Sequence, residues 1–468
     1  MKTFHCNRCS HLVFYENVRC ERCESLLGYV PELAEISAFE EADEGRWRSL
    51  HPRAEGAVFR QCHNYAVENV CNWMIPADSP DTLCRACQLT RTIPNLSAPD
   101  NRLYWYRLEM AKRRLLYTLA ALGLDVPSRQ TDPEHGLAFE FLEDGGDGSR
   151  VMTGHDNGLI TLNIAEADDV HREKVRSAMG EPYRTLLGHF RHETGHYYFS
   201  QLIENNPRWI EPYRKLFGDE RADYGEALTA YYRDGAPAPA DWQASYISAY
   251  ATMHPWEDWA ETWAHYMLIV DVLDTSTSYG LALLPDDPSE PTLTDRTPVE
   301  DASFENLMKR WFPLTYALNS LNRSLGMPDG YPFTLASPVV DKLRFVHRVI
   351  AAAGDKTQPR EAAKPAADAG AVQTTLQTAA AGASPTAEAP ATPPPAAQPV
   401  TQDVVSQEPS QTMEQAPLPQ PAQPEPVNQA VVSQDSEQAP AMQAVAPALQ
   451  SESSTVKTAP PKRAARRR

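Results

Sequence analysis

The chain has 468 residues, 42% of them hydrophobic and 9% aromatic, enough to build a sizeable core in two or three domains. Its formal net charge of −19 sets up a field that repels nucleic acid and anionic lipid unless a local basic patch overrides it, so a general nucleic-acid binder is disfavoured. The opening MKTFHCNRCSHLVFYENVRC lacks the unbroken apolar run of a secretory signal, and no later stretch offers about 18 uncharged apolar residues for a membrane span, so a cytoplasmic protein with no membrane partner is expected.

All eight cysteines fall between Cys6 and Cys87, in a segment dense in polar turns and short of long periodic stretches. In a reducing compartment, spaced cysteine pairs are metal ligands more often than disulfides. Cys6-x2-Cys9 and Cys20-x2-Cys23 are two close pairs separated by ten residues, a spacing that lets four thiolates converge tetrahedrally on one ion. Cys84-x2-Cys87 is a third pair, and Cys62 and Cys71 are its expected partners. Their spacing of nine is wider than a usual knuckle, and His63 is an alternative ligand to Cys62. Two structural Zn2+ ions are therefore expected within residues 1–95. Four protein ligands leave no open position for chemistry, and metal binding in a small ribbon is largely folding free energy.

From residue 100 to 353 the pattern is mainly helical. LYWYRLEMAKRRLLYTLAALGL (103–124) places apolar residues at helical spacing and ends before DVPS with its proline. Two strand-like runs follow, LAFEFL (137–142) and GLITLNI (158–164), the second turning Ile160, Leu162 and Ile164 inward. The edge of such a strand could hold an extended peptide by backbone hydrogen bonds.

GHFRHETGHYYF (188–199) contains His192-Glu193-x-x-His196. On a helix, residues four apart project from one face, so both imidazoles can grip a single ion. Glu193, next to the first of them, can reach a water on that ion without being a ligand. Gly195 removes a side chain at a crowded turn, and His189, one turn earlier, reads as a neighbour or surface residue rather than a ligand. A catalytic zinc needs a third protein ligand and a place for water. Downstream, SAYATMHPWEDWAETWAHYML opens a helix at Pro255, with Glu257, Glu261 and His265 repeating every four residues on one face.

HETGH followed by EDWAETWAHY resembles the zincin metallopeptidases of the glutamate-ligand type, and Glu257, Ala260 and Glu261 match a Glu-x-x-Ala-Glu pattern of some toxin-like zincins. Over residues 1–350 the chain is similar to the bacterial zinc-binding metallopeptidases that join an N-terminal zinc ribbon to an HExxH domain. The resemblance implies that His192 and His196 are metal ligands, Glu193 the general base and Glu261 the third ligand, with Glu257 and His265 as alternatives. Many zincins carry an aspartate one turn beyond the ligand glutamate, where this chain has His265. His254 and Tyr250, just before the downstream helix, are candidate oxyanion donors, His254 being taken as the catalytic one. Trp256, Trp259 and Trp263 read as core.

The expected fold class is α+β: a zinc-ribbon module at 1–95, a mainly helical, zincin-like domain with a small sheet at 100–353, and a disordered Ala/Pro/Gln-rich tail at 355–468. The tail contains none of the chain's 41 Phe, Tyr and Trp residues and cannot bury enough apolar surface to offset the entropy of ordering it. It carries 9 basic and 11 acidic residues, leaving 34 basic against 51 acidic, a net of −17, in the remainder. The basic end PPKRAARRR is given no function. The expected activity is zinc-dependent hydrolysis of peptide or protein substrates, with one catalytic and two structural Zn2+ and a possible protein partner docking on the ribbons. The rival is a binding or adaptor protein whose HExxH site is inactive or structural.

Overall fold

The computed structural model describes residues 1–145, 149–233 and 238–354, all within one compact unit; the tail expected at 355–468 lies outside the described residues. The first strands, β1 (Phe4–His5) and β2 (Leu12–Val13), form a short hairpin. An antiparallel sheet follows in sequential order: β3 (Leu26–Val30), β4 (Glu35–Asp43), β5 (Arg46–Ser49), β6 (Val58–Gln61) and β7 (Met74–Pro76). Its ends are drawn together where Tyr29 bridges to Trp73 and the Tyr29 N–H donates to Asn72 O at 2.8 Å. Gly28 permits that approach, because a Cβ there would stand 2.5 Å from Met74 Cγ.

Two one-turn helices, α1 (His63–Ala66) and α2 (Arg85–Gln88), begin directly after Cys62 and Cys84. The chain then forms β8 (Thr90–Thr92) and α3 (Asn101–Ala121). The expected helix at 103–124 is thus displaced slightly upstream, ending where Gly123 takes φ +70°, a left-handed cap that other residues adopt at a cost.

The second sheet has the order β10–β11–β9–β8, with β9 (Ala138–Leu142), β10 (Gly154–Asp156) and β11 (Leu159–Asn163). Strand β9 runs parallel to both β8 and β11, and β10 lies antiparallel on the edge. Ile160 and Leu162 face the core as expected, whereas Ile164 lies beyond the strand. The Asn163 side chain accepts from the Ala165 N–H at 2.9 Å and turns the chain there, and Ile164 is still buried.

The remaining elements are helical: α4 (Asp169–Ala178), α5 (Leu186–Leu202), α6 (Ile210–Phe217), α7 (Tyr224–Arg233), α8 (Pro255–Ser278), α9 (Phe304–Ser324) and α10 (Ser337–Gly354). Helices α5 and α8 meet closely at Gly195, where a Cβ would come within 2.9 Å of Ala260 Cα. Phe139 and Phe141 of the sheet pack on Phe190 of α5, and Trp259 and Trp263 of α8 are fully buried, as core residues should be. Buried Asp271 of α8 accepts from Arg191 of α5 and Thr118 of α3, tying three helices together.

Helix α3 is common ground between the two halves. Tyr15 donates to Arg113 O at 3.2 Å, Trp73 Nε1 donates to Tyr15 Oη at 2.9 Å, and Arg113 donates to Val70 O at 2.7 Å. Phe4, Tyr15 and Tyr29 surround the Tyr117 ring. The ribbon core is therefore continuous with the helical core. Among the described residues no helix is long and apolar enough to cross a membrane.

Candidate metal centre and active site

Among the described residues, three groups of side chains converge as metal-ligand sets. The first is Cys6, Cys9, Cys20 and Cys23, with Cys6–Cys23 and Cys9–Cys20 sulfur separations of 3.5 and 3.6 Å. The second is Cys62, Cys71, Cys84 and Cys87, so Cys62 rather than His63 stands in the group. Backbone N–H groups of Cys84 and Trp73 donate to the sulfurs of Cys62 and Cys71 at 3.3 and 3.4 Å, contacts that favour thiolates. Eight sulfurs in two groups of four are the donor set that tetrahedral zinc prefers.

The third group is His192, His196 and Glu257, built by α5 and α8. Helix α5 starts where Thr185 Oγ1 accepts from the Gly188 N–H at 3.0 Å, and its 3.6-residue turn stacks His192 over His196. Their Nε2 atoms lie 3.2 Å apart. Two imidazoles bound to one tetrahedral ion at about 2.0–2.1 Å would be separated by about 3.4 Å. Glu257 completes the group, with Oε2 2.9 Å from His192 Nε2 and Oε1 3.4 Å from His196 Nε2.

Glu261, the expected third ligand, stands on the opposite side of the His192 ring. Its Oε1 is 2.6 Å from His192 Nδ1, and its Oε2 accepts from Ser248 Oγ at 2.6 Å. The physical reason is the axial register of α8 on α5: the close contact at Ala260 sets Glu257 against the Nε2 atoms and Glu261, one turn on, against Nδ1. His265 is carried further off, bonded through Nδ1 to Tyr331 Oη at 2.9 Å and packed edge-on to Phe333.

His254 is not available as an oxyanion donor. Its Nδ1 accepts from the Trp256 N–H at 3.1 Å as the N-cap of α8, which leaves the ring proton on Nε2, 3.1 Å from Ala222 O. Both nitrogens are spent on holding the start of the helix. The Tyr250 ring lies 6.0 Å from that of His192, and Trp256 packs on His196 at 4.5 Å. His189 sits 3.6 Å from Glu166 and outside the metal-ligand set.

Two residues join the site without a sequence signal. Tyr224 donates to Glu257 Oε1 at 2.8 Å, and the His155 ring of edge strand β10 stacks beside His196 with centroids 6.3 Å apart. Neither lies at helical or knuckle spacing from the motif, so only the fold brings them in.

The imidazoles and carboxylates of the third group are strongly coupled. Burial opposes a charged His192, yet its contacts with Glu257 and Glu261 outweigh this and hold its pKa well above the ordinary histidine value. Burial likewise pushes Glu257 up, but His196 and His192 hold it well below the usual carboxylate range. Each group thus demands opposite charge from the others. Glu257 Oε2 is buried without a hydrogen-bond partner among the described residues and stands 2.9 Å from His192 Nε2. A buried carboxylate oxygen that accepts no hydrogen bond, beside two Nε2 atoms at nearly the separation that shared ligation requires, fits a metal ion. Glu193 is 7% exposed, and burial raises its carboxyl pKa despite His192 and His196 nearby, which brings it toward the range useful for proton transfer near neutral pH.

Residues 101–349 match the family model described as "Putative zinc-binding metallo-peptidase", and residues 3–98 match a zinc-ribbon domain. Among curated proteins, one from Mycobacterium bovis and one from Mycobacterium tuberculosis, each named only as an uncharacterized protein, are 43% identical over 350 residues. Each match covers 75% of this chain and 95% of the relative. No solved structure matches the chain. The two four-cysteine groups fall inside the ribbon match and the two histidines and Glu257 inside the peptidase match, and the chain belongs to this zinc-binding metallopeptidase family.

Proposed function

We propose that the chain is a zinc-dependent peptidase in which His192, His196 and Glu257 hold the catalytic ion and Glu193 is the general base. The observation that carries this reading is the convergence of two Nε2 atoms and a buried carboxylate whose Oε2 has no hydrogen-bond partner among the described residues. A zinc ion bound there would acidify water and polarise the scissile carbonyl. The Glu193 carboxylate takes a proton from the attacking water and returns it to the leaving amine. Glu261 accepts the Nδ1–H of His192 and fixes the tautomer whose Nε2 lone pair is free to ligate, while Ser248 holds Glu261 in turn. Strand β10, on the sheet edge and beside α5 through His155, offers backbone groups to an extended substrate. The cysteine groups take the two structural ions.

The test is metal content followed by turnover of a mixed fluorogenic peptide library. Wild type should hold about three zinc ions per chain and His192→Ala about two. Glu193→Gln should keep its zinc and lose about 10²–10⁴-fold in hydrolysis. Undiminished cleavage by Glu193→Gln would defeat the mechanism, and a wild type that holds all three ions yet cleaves nothing would favour the adaptor reading.

A further inference from the structure

Tyr224 opens α7, far in sequence from the histidine motif, and its side chain is braced by the turn that begins α8. Its ring packs edge-on to His254, the cap of that helix, with centroids 5.3 Å apart, and to Trp256 at 5.9 Å. From this position its hydroxyl donates to Glu257 Oε1 at 2.8 Å. The two oxygens of Glu257 are therefore unlike. Oε1 is engaged by a phenol, whereas Oε2 is buried, accepts no hydrogen bond from any described residue and lies closest to His192 Nε2.

We infer that Tyr224 is a positioning residue that restricts Glu257 to a single ligating oxygen and so keeps coordination places open for water and the substrate carbonyl. The inference rests on the metal-centre reading of the preceding subsection. A carboxylate can give a divalent ion one oxygen or two. Two imidazoles and one oxygen leave a zinc ion room for a solvent ligand and for expansion to five-coordination during the reaction, whereas a second carboxylate oxygen would take up that room. A hydrogen bond from the tyrosine draws electron density from Oε1, which stands 3.4 Å from His196 Nε2, and fixes the carboxylate plane, leaving Oε2 the better donor. This is the service that partners of metal ligands perform in general, here directed at ligand count rather than at tautomer.

Tyr224→Phe removes the hydroxyl and keeps the ring that packs on His254 and Trp256. The full chain is loaded with Co2+ in place of Zn2+, and the visible spectrum of each protein is read as a difference against His192→Ala, which retains both cysteine sites. Tyr224→Phe should bind as much cobalt as wild type. Its difference bands should be weaker and displaced toward those of a higher coordination number, and kcat should fall about 10- to 100-fold with KM little changed. A spectrum identical to wild type would overturn the inference whatever the rate: with kcat lost, the hydroxyl acts on the substrate itself, and with kcat kept, it has no role. A wild type that binds no more cobalt than His192→Ala would instead sink the metal-centre reading and leave the tyrosine without a ligand to position.

Discussion

The two four-cysteine groups share a donor set and differ in their surroundings. In the first, Cys9 and Cys23 are half-buried at the end of a short hairpin, within reach of solvent. In the second, Cys62, Cys71, Cys84 and Cys87 are 0, 3, 3 and 1% exposed, enclosed between the five-stranded sheet and α3. Four thiolates around a divalent ion carry two net negative charges, and burying such a charge is costly unless it is compensated. Compensation comes from the helical half. Burial disfavours a charged Arg113, but Cys71, Glu109 and Cys87 more than offset this and raise its pKa. The difference teaches that the first group staples a ribbon at its solvent side, whereas the second is built into the core beside α3.

The largest expected effect follows from disrupting the enclosed group. Cys87→Ser should lower stability by several kcal/mol, a sizeable part of the roughly 10–16 kcal/mol that a structural zinc can supply, and melt α3 and the helical half together in thermal unfolding followed by circular dichroism. Cys9→Ser should leave the main transition nearly in place. Equal losses from the two variants would erase the distinction. Next in size, Arg113→Met should cost about 3–5 kcal/mol in denaturant titration, as expected when one partner of a buried charge pair is removed; a cost below about 1 kcal/mol would mean that the guanidinium does not balance the cluster. The smallest effect is kinetic. In His192→Ala, which lacks the third ion, one zinc per chain should leave on the order of tenfold faster than the other under a metal-sensing dye and a mild thiol reagent, since release follows local opening, and adding Cys9→Ser should remove that fast phase. A single uniform phase in His192→Ala would contradict the comparison.

What could be read from the sequence was local. The cysteine knuckles and the histidine pair are defined by spacings of three and four residues, within one turn or one hairpin, so no tertiary knowledge was needed to pick them out. Choosing between Glu257 and Glu261 required the axial position of α8 against α5, where one turn is about 5.4 Å and exchanges the carboxylate at Nε2 for the one at Nδ1. That position depends on the Gly195–Ala260 contact, a long-range event. His254 could have been placed correctly, since a polar residue immediately before a proline that opens a helix is in the N-cap position. Tyr224 had no such signal, because its link to Glu257 spans two helices and the segment between them.

Strand β8 lies inside the zinc-ribbon match at 3–98, yet it pairs with β9, which lies inside the peptidase match at 101–349, and the Phe139 N–H donates to Leu89 O at 2.8 Å. The seam between the two sequence families is therefore not a seam in the molecule. A gene fusion that grafted a foreign ribbon at residue 100 would have to supply a matching border strand of its own, or leave Phe139 and its neighbours with an open ladder. A graft made upstream of Leu89 would carry that strand along with its sheet. Any exchange of parts between such proteins is thereby steered to a junction upstream of Leu89 rather than to the end of the ribbon match.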